Sequence, residues 1–260
     1  MKKLLLASLI TSASFAASAD VVTFDDSSFN LTAGSKVVFD FIDFDTDKAN
    51  VTQTDSDNNG NITVNEAFSE EGVTDIVNFK MGTTQLGVDA AYEVFYKYAF
   101  SGIATTTDVN GKRTLEVTFN AGTSGLYVDT TNVGNGVLDG GTQIASLGLN
   151  EGGCSIDITP GPLQNKGFCG LDLNLNFSTG YFFDQNGVDL STAAIAKSAT
   201  LIVTVQDILG LNFNYPVVGG TQNFQIQHDG NMTFNVPEPA SVAILGLGLL
   251  GFAGARRRKA

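Results

Sequence analysis

The segment Tyr92-Glu93-Val94-Phe95-Tyr96-Lys97-Tyr98-Ala99-Phe100-Ser101 decides the fold. Tyr92, Val94, Tyr96, Tyr98 and Phe100 share one face, while Glu93, Lys97 and Ser101 share the other. Successive side chains of an extended chain point to opposite faces, so this period of two predicts a strand with one face buried. The same alternation recurs further along the chain. Leu115, Val117 and Phe119 interleave with Glu116, Thr118 and Asn120. Leu171, Leu173, Leu175 and Phe177 interleave with Asp172, Asn174, Asn176 and Ser178. Half-buried strands of this kind belong to antiparallel sheets.

Working outward, strands are expected at 35–44, 73–80, 91–107, 113–119, 142–149, 200–206, 222–228 and 231–236. Asn110-Gly111 and Asp229-Gly230 are hairpin dipeptides, since both residues of a tight turn need positive φ. The one helical candidate in the body of the chain is Ser191–Ser198, with Ala193, Ala194 and Ala196. Short strands with many Gly, Asn, Thr and Ser in the turns predict an all-β fold, a single antiparallel β-sandwich, with a jelly roll or barrel as the alternative.

The two ends have a different character. Lys2 and Lys3 precede an apolar run from Leu4 to Ala16 and then Ala17-Ser18-Ala19. This is the order of a secretory signal peptide, with cleavage expected between Ala19 and Asp20 after passage through the Sec export machinery. At the other end, Val236-Pro237-Glu238-Pro239 leads into an apolar segment at 240–255, closed by Arg256, Arg257, Arg258 and Lys259. Sixteen helical residues reach roughly 24 Å. That is short of the roughly 30 Å hydrocarbon core, but snorkelling basic residues bring it within range of a thin inner membrane. The basic cluster holds that end in the cytoplasm. The expected division is a signal peptide at 1–19, an exported β-domain at 20–235, and a sorting tail at 236–260.

Removing the ends changes the charge. Six of the 14 Lys and Arg lie in the signal segment and the basic tail, which leaves eight against all 27 Asp and Glu in residues 20–239, a net of −19 for that exported part. Such a body repels nucleic acid and anionic lipid, and no nucleic-acid partner is expected. Cys154 and Cys169 both lie in the exported part, where oxidation is permitted, so a disulfide is expected.

The sharpest chemical motif runs from Asp55 to Glu66, D-S-D-N-N-G-N-I-T-V-N-E. It satisfies every required position of the twelve-residue calcium loop. Asp55, Asp57 and Asn59 would supply side-chain oxygens, Asn61 its carbonyl, Thr63 a direct or water-mediated contact, and Glu66 a bidentate carboxylate. Gly60 permits the sharp turn. The segments before the loop read as strand and loop rather than as the entering helix of an EF-hand. The alternative is a solvated turn at Asn58–Asn61. Calcium is the one cofactor these residues suggest. Two Cys and a lone histidine exclude the common four-ligand zinc sites. His228 is expected as a strand-end residue, no nucleophile setting accompanies it, and no catalytic residue is assigned. Tyr181, Phe182 and Phe183 read as core packing rather than a sugar platform.

The order of Pro237, Glu238 and Pro239, apolar span and basic tail resembles the PEP-CTERM sorting signal. That resemblance implies recognition by an exosortase, a membrane-embedded processing enzyme, and a route through the inner membrane to the cell surface or matrix. The two prolines fit it physically, because they hold an extended backbone without internal hydrogen bonds. The exported part looks like the flocculation-associated PEP-CTERM proteins. The shared cues are Asp47-Lys48, Tyr96 and Tyr98 leading into Phe100-Ser101-Gly102, Leu126-Tyr127-Val128-Asp129, Cys169-Gly170, and Gly180-Tyr181-Phe182-Phe183. This implies a non-enzymatic role in cell aggregation through exopolysaccharide. A calcium-dependent carbohydrate-binding module is the alternative, and an exported hydrolase comes third.

Overall fold

A computed structural model describes residues 21–29, 36–160, 165–193, 197–211 and 217–236. The expected signal segment, including Ala19 and Asp20, lies outside them, as do Pro237, Glu238, Pro239 and the apolar segment at 240–255. The strands, in chain order, are β1 (Val22–Asp25), β2 (Lys36–Phe39), β3 (Phe41–Phe44), β4 (Asp47–Thr54), β5 (Glu66–Met81), β6 (Thr84–Gly87) and β7 (Glu93–Val109). They continue with β8 (Lys112–Asp129), β9 (Thr142–Asp157), β10 (Lys166–Phe177), β11 (Phe182–Phe183), β12 (Ser198–Leu209) and β13 (Thr221–Asn235). No described residue is helical. The helix expected at Ser191–Ser198 does not form at its described positions: Ser191 and Thr192 sit in a turn on Asp189, and Ser198 opens β12.

The expected sandwich is corrected to a barrel. Strands β5, β7, β8, β9, β10, β12 and β13 follow one another as antiparallel neighbours. β3 and β4 lie end to end as one broken strand between β5 and β13. The seam between β12 and β13 is fully paired, from Ser198↔Asn235 to Leu209↔Gln225, so the sheet closes on itself in up-and-down order. Closure removes the exposed edges that a sandwich would leave. It also needs local bending, which β-bulges supply. Register shifts occur at Ser101/Gly102, Leu126/Tyr127, Asp172/Leu173 and Val205/Asp207. At Gly102 a Cβ would lie 1.9 Å from the Thr118 carbonyl oxygen, so the β7 bulge requires glycine.

Two expectations about strand limits also change. Asn110 and Gly111 both have positive φ, 56° and 82°, and make the expected hairpin. Asp229 and Gly230 make none. They pair in mid-strand with Thr204 and Val203, at the point where the other side of β13 switches partner from β4 to β3. Gly230 serves close approach instead, since a Cβ there would sit 2.8 Å from the Ile202 carbonyl oxygen. The strand expected at 35–44 divides at Asp40. The Asp40 amide donates to the Lys80 carbonyl and its carboxylate accepts from the Gly82 amide. This pins the chain at the β5–β6 turn, and β2 leaves for a second, small sheet with β1 and β11.

That small sheet closes one end of the barrel. Phe24, Phe39 and Phe182 pack with Phe79, Phe177 and Phe234 of the barrel strands at ring separations of 4.5 to 6.5 Å. The alternation read from the sequence sets the interior. Tyr96, Tyr98 and Phe100 stack along β7, and Leu171, Leu173, Leu175 and Phe177 point inward from β10. Asp172, Asn174 and Asn176 point outward. A barrel crossing lipid needs an apolar band on its outer face, whereas β10 presents Asp172, Asn174 and Asn176 there beside one exposed aromatic, Phe168. Cys154 and Cys169 are cross-strand partners inside the barrel and form the expected disulfide.

Candidate functional site

The loop Asp55–Glu66 closes part of the barrel end opposite the aromatic cap, running from the end of β4 to the start of β5. Its flanks are two paired strands, as the expected lack of an entering helix requires. Asn58, Asn59 and Asn61 at its tip are exposed, and the residues around them tie the loop to the barrel. Ile62 is buried in the core and anchors the loop, and the Thr63 carbonyl accepts the Thr106 amide at 2.6 Å. Asp55 and Glu66, the first and last candidate ligands, are themselves buried.

The candidate ligands converge. Carboxylate oxygens of Asp55, Asp57 and Glu66 all lie within 4.8 Å of one another. The Thr63 hydroxyl lies 3.0 Å from Asp57 Oδ2 and 3.4 Å from Glu66 Oε1. Asn59 sits against the same group, with its Nδ2 2.6 Å from Asp57 Oδ2 and 2.9 Å from Thr63 Oγ1. Asn61 is held by Asn59, which accepts the Asn61 amide on its Oδ1. Among the described residues no Lys or Arg pairs with Asp55, Asp57 or Glu66. Three clustered carboxylates must therefore be offset by hydrogen bonds or by a cation.

Backbone amides supply part of that offset. Gly60, Asn59 and Gly219 donate to the Asp55 carboxylate, and Ser56 donates to Glu66 Oε2 at 2.6 Å. Desolvation pushes the Asp55 carboxyl up, but the amides of Gly219, Gly60 and Asn59 outweigh it and hold it below the ordinary range. The acid stays ionised, as a cation ligand must. The bond from Gly60 to Asp55 requires the positive φ of 77° at Gly60. The donor set of carboxylates, amide and hydroxyl is all oxygen, which suits a hard cation such as calcium. The Asn59 amide now points its NH2 at Asp57, and as a ligand it would turn Oδ1 inward.

Sequence reading missed Gly219 and Gly220. The Gly219 amide reaches Asp55 Oδ2 at 2.7 Å, and Asp55 donates its own amide to the Gly220 carbonyl at 3.0 Å. This second wall comes from the turn just before β13, 164 residues away in sequence, and only the glycine pair itself hints at it.

His228 is not at a strand end. It lies in the middle of β13, buried, with Nε2 2.6 Å from the Tyr98 hydroxyl. The same hydroxyl is 3.3 Å from Glu70 Oε1. Burial lowers the His228 pKa against the pull of Asp47 and Asp229, and burial raises that of Glu70 to about 7 against the Tyr98 hydrogen bond. Phe182 is in the aromatic cap and Tyr181 stacks on Phe29, so these rings are packing residues.

The exit of the barrel leads to the other site. β13 runs to Asn235, and Val236 is buried. The barrel therefore runs up to Val236, the residue before Pro237. Residues 235–259 match the family described as the PEP-CTERM protein-sorting motif. This chain carries an exosortase sorting signal. The PEP-CTERM match marks an exported protein that is anchored in the membrane in transit. No curated protein and no solved structure matches the chain.

Proposed function

We propose that this exported barrel is a non-enzymatic surface or matrix protein, that it takes one calcium ion in the Asp55–Glu66 loop, and that it helps hold cells together within exopolysaccharide. The observation that carries the calcium reading is the convergence of Asp55, Asp57 and Glu66 in a loop that matches the twelve-residue pattern position by position. The sorting signal supports the surface location, and the resemblance to flocculation-associated proteins supports the role. The buried, Tyr98-bound state of His228 keeps it from a substrate and supports a non-catalytic reading.

Native mass spectrometry of the exported protein, titrated with calcium from micromolar to millimolar, tests the ion. One bound calcium is expected, and Asp55→Ala with Glu66→Ala should abolish it. An unchanged mass, or binding that survives both substitutions, overturns the calcium reading. Deleting the gene and scoring flocculation tests the role separately, and normal flocs would count against it.

A further inference from the structure

The outer face of the barrel carries a trough of about 650 Å³ across β4, β5, β7, β8 and β9. Two rows of cross-strand partners build it. One row is Asn50, Glu71, Ala99, Thr123 and Gly148. The other is Val73, Lys97, Gly125 and Ser146, and Lys48 extends it on β4, two residues from Asn50 on the same face. Neighbouring strands lie about 4.8 Å apart, so five strands give a trough roughly 19 Å long that runs across the strand direction. Ala99 and Gly148 keep its floor low. At Gly125 a Cβ would lie 2.5 Å from Gln143 Nε2 and 2.9 Å from Tyr127 Cε2, so the Tyr127 ring and the Gln143 amide lie over that glycine at one end.

The lysines say what fits there. Of the eight Lys and Arg in residues 20–239, Lys36, Lys80, Lys112 and Arg113 pair with acids. Lys166 and Lys197 donate to backbone carbonyls. Among the described residues Lys48 and Lys97 do neither, and both line the trough. In a body with 27 acids, the two uncommitted cations share one polar depression. Charges farther away than about 8 Å are largely screened at physiological salt, so the two lysines outnumber Glu71, the one acid of the lining, despite the acidic whole.

We infer that this trough binds an extended polysaccharide bearing carboxylates. Lys48 and Lys97 meet the carboxylates. Asn50, Glu71, Thr123 and Gln143 meet hydroxyl groups. Tyr127 offers an aromatic face to a sugar ring. A depression that crosses five strands suits a chain rather than a compact ligand. The inference gives a partner class to the matrix role and shares no residue with the Asp55–Glu66 loop, so the two can fail separately.

Affinity electrophoresis of the exported protein in gels containing alginate, with dextran as the neutral control, tests it. Retardation by alginate alone is expected, falling as salt is raised. Lys48→Gln with Lys97→Gln should weaken it about tenfold at unchanged Tm, and Tyr127→Ala should weaken it independently. Asp55→Ala with Glu66→Ala should leave it intact. No retardation, equal retardation by dextran, or full retention in the double lysine variant would each overturn the inference.

Discussion

At the scale of single residues, the interior trio of Glu70, Tyr98 and His228 makes stability depend on pH. Tyr98 has one proton to donate and two neighbours, 3.3 and 2.6 Å away. With Glu70 protonated and His228 neutral, the single Tyr98 proton can serve either neighbour without leaving a buried charge at the other. Both pKa directions favour that arrangement. Glu70 binds its proton more tightly folded than unfolded, because burial raises it from 4.5 to about 7. Its contribution is therefore full below about pH 4.5 and is lost as pH rises through about 7. His228 is depressed, so its contribution is present above its ordinary 6.5 and is lost as pH falls. Urea unfolding of Glu70→Gln against the unaltered protein isolates the first effect. The variant should gain on the parent by on the order of 3 kcal/mol between pH 4.5 and 8, at about 1.4 kcal/mol per pKa unit. A difference that does not vary with pH would place Glu70 outside this network.

At the scale of elements, the β9–β10 pair shows what a cross-link adds to a ladder already formed. Cys154 and Cys169 face each other in register, so the bond constrains chiefly the unfolded chain, closing a loop of 15 residues. Replacing both by Ala should cost about 3 kcal/mol, read as a lower urea midpoint, while the barrel's β-rich circular dichroism persists. Loss of that signal would mean the bond is needed for folding itself. The Asp55–Glu66 loop joins β4 to β5 and should behave oppositely. Calcium at a hundred times its Kd should raise stability by about 2.7 kcal/mol, and Asp57→Ala should remove the rise in Tm without lowering the Tm of the calcium-free protein by as much. The sequence made these elements readable unevenly. Alternation in β7, β8 and β10 named the inward residues, and Asn110-Gly111 named its hairpin, because both signals are local. Asp229-Gly230 misled, because its fate depends on β12 and on the partner change from β4 to β3. The break at Asp40 and closure at the β12–β13 seam depend on distant pairings too. The loop's ligands were readable from spacing, but the Gly219 wall and the lysines of the outer trough came into place only with the register.

At the scale of the whole molecule, the barrel and its sorting signal meet with no slack. β13 is the last strand and the closing one, held by β12 on one side and by β3 and β4 on the other. Asn235 pairs with Ser198, Val236 is buried, and Pro237 follows at once. If the processing enzyme grips the chain around Pro237–Pro239, the barrel wall, which runs up to Val236, crowds its N-terminal side. Either the end of β13 frays to admit the enzyme or the cleft works against the folded wall. Fraying costs the Asn235–Ser198 pairing and the burial of Val236, the latter about 1.5 to 3 kcal/mol for a side chain of this kind. If fraying limits the reaction, slack should relieve it. Six Gly and Ser residues placed between Val236 and Pro237 would give an average reach of about 13 Å. Processing followed by pulse-chase in the host should then speed up several-fold, and the Tm of the barrel should not change. Val236→Ala, which weakens the same anchor from the other side, should also speed processing, at the cost of a lower Tm. Unaltered rates in both variants would mean that the enzyme works on the barrel end as folded, with Val236 in place.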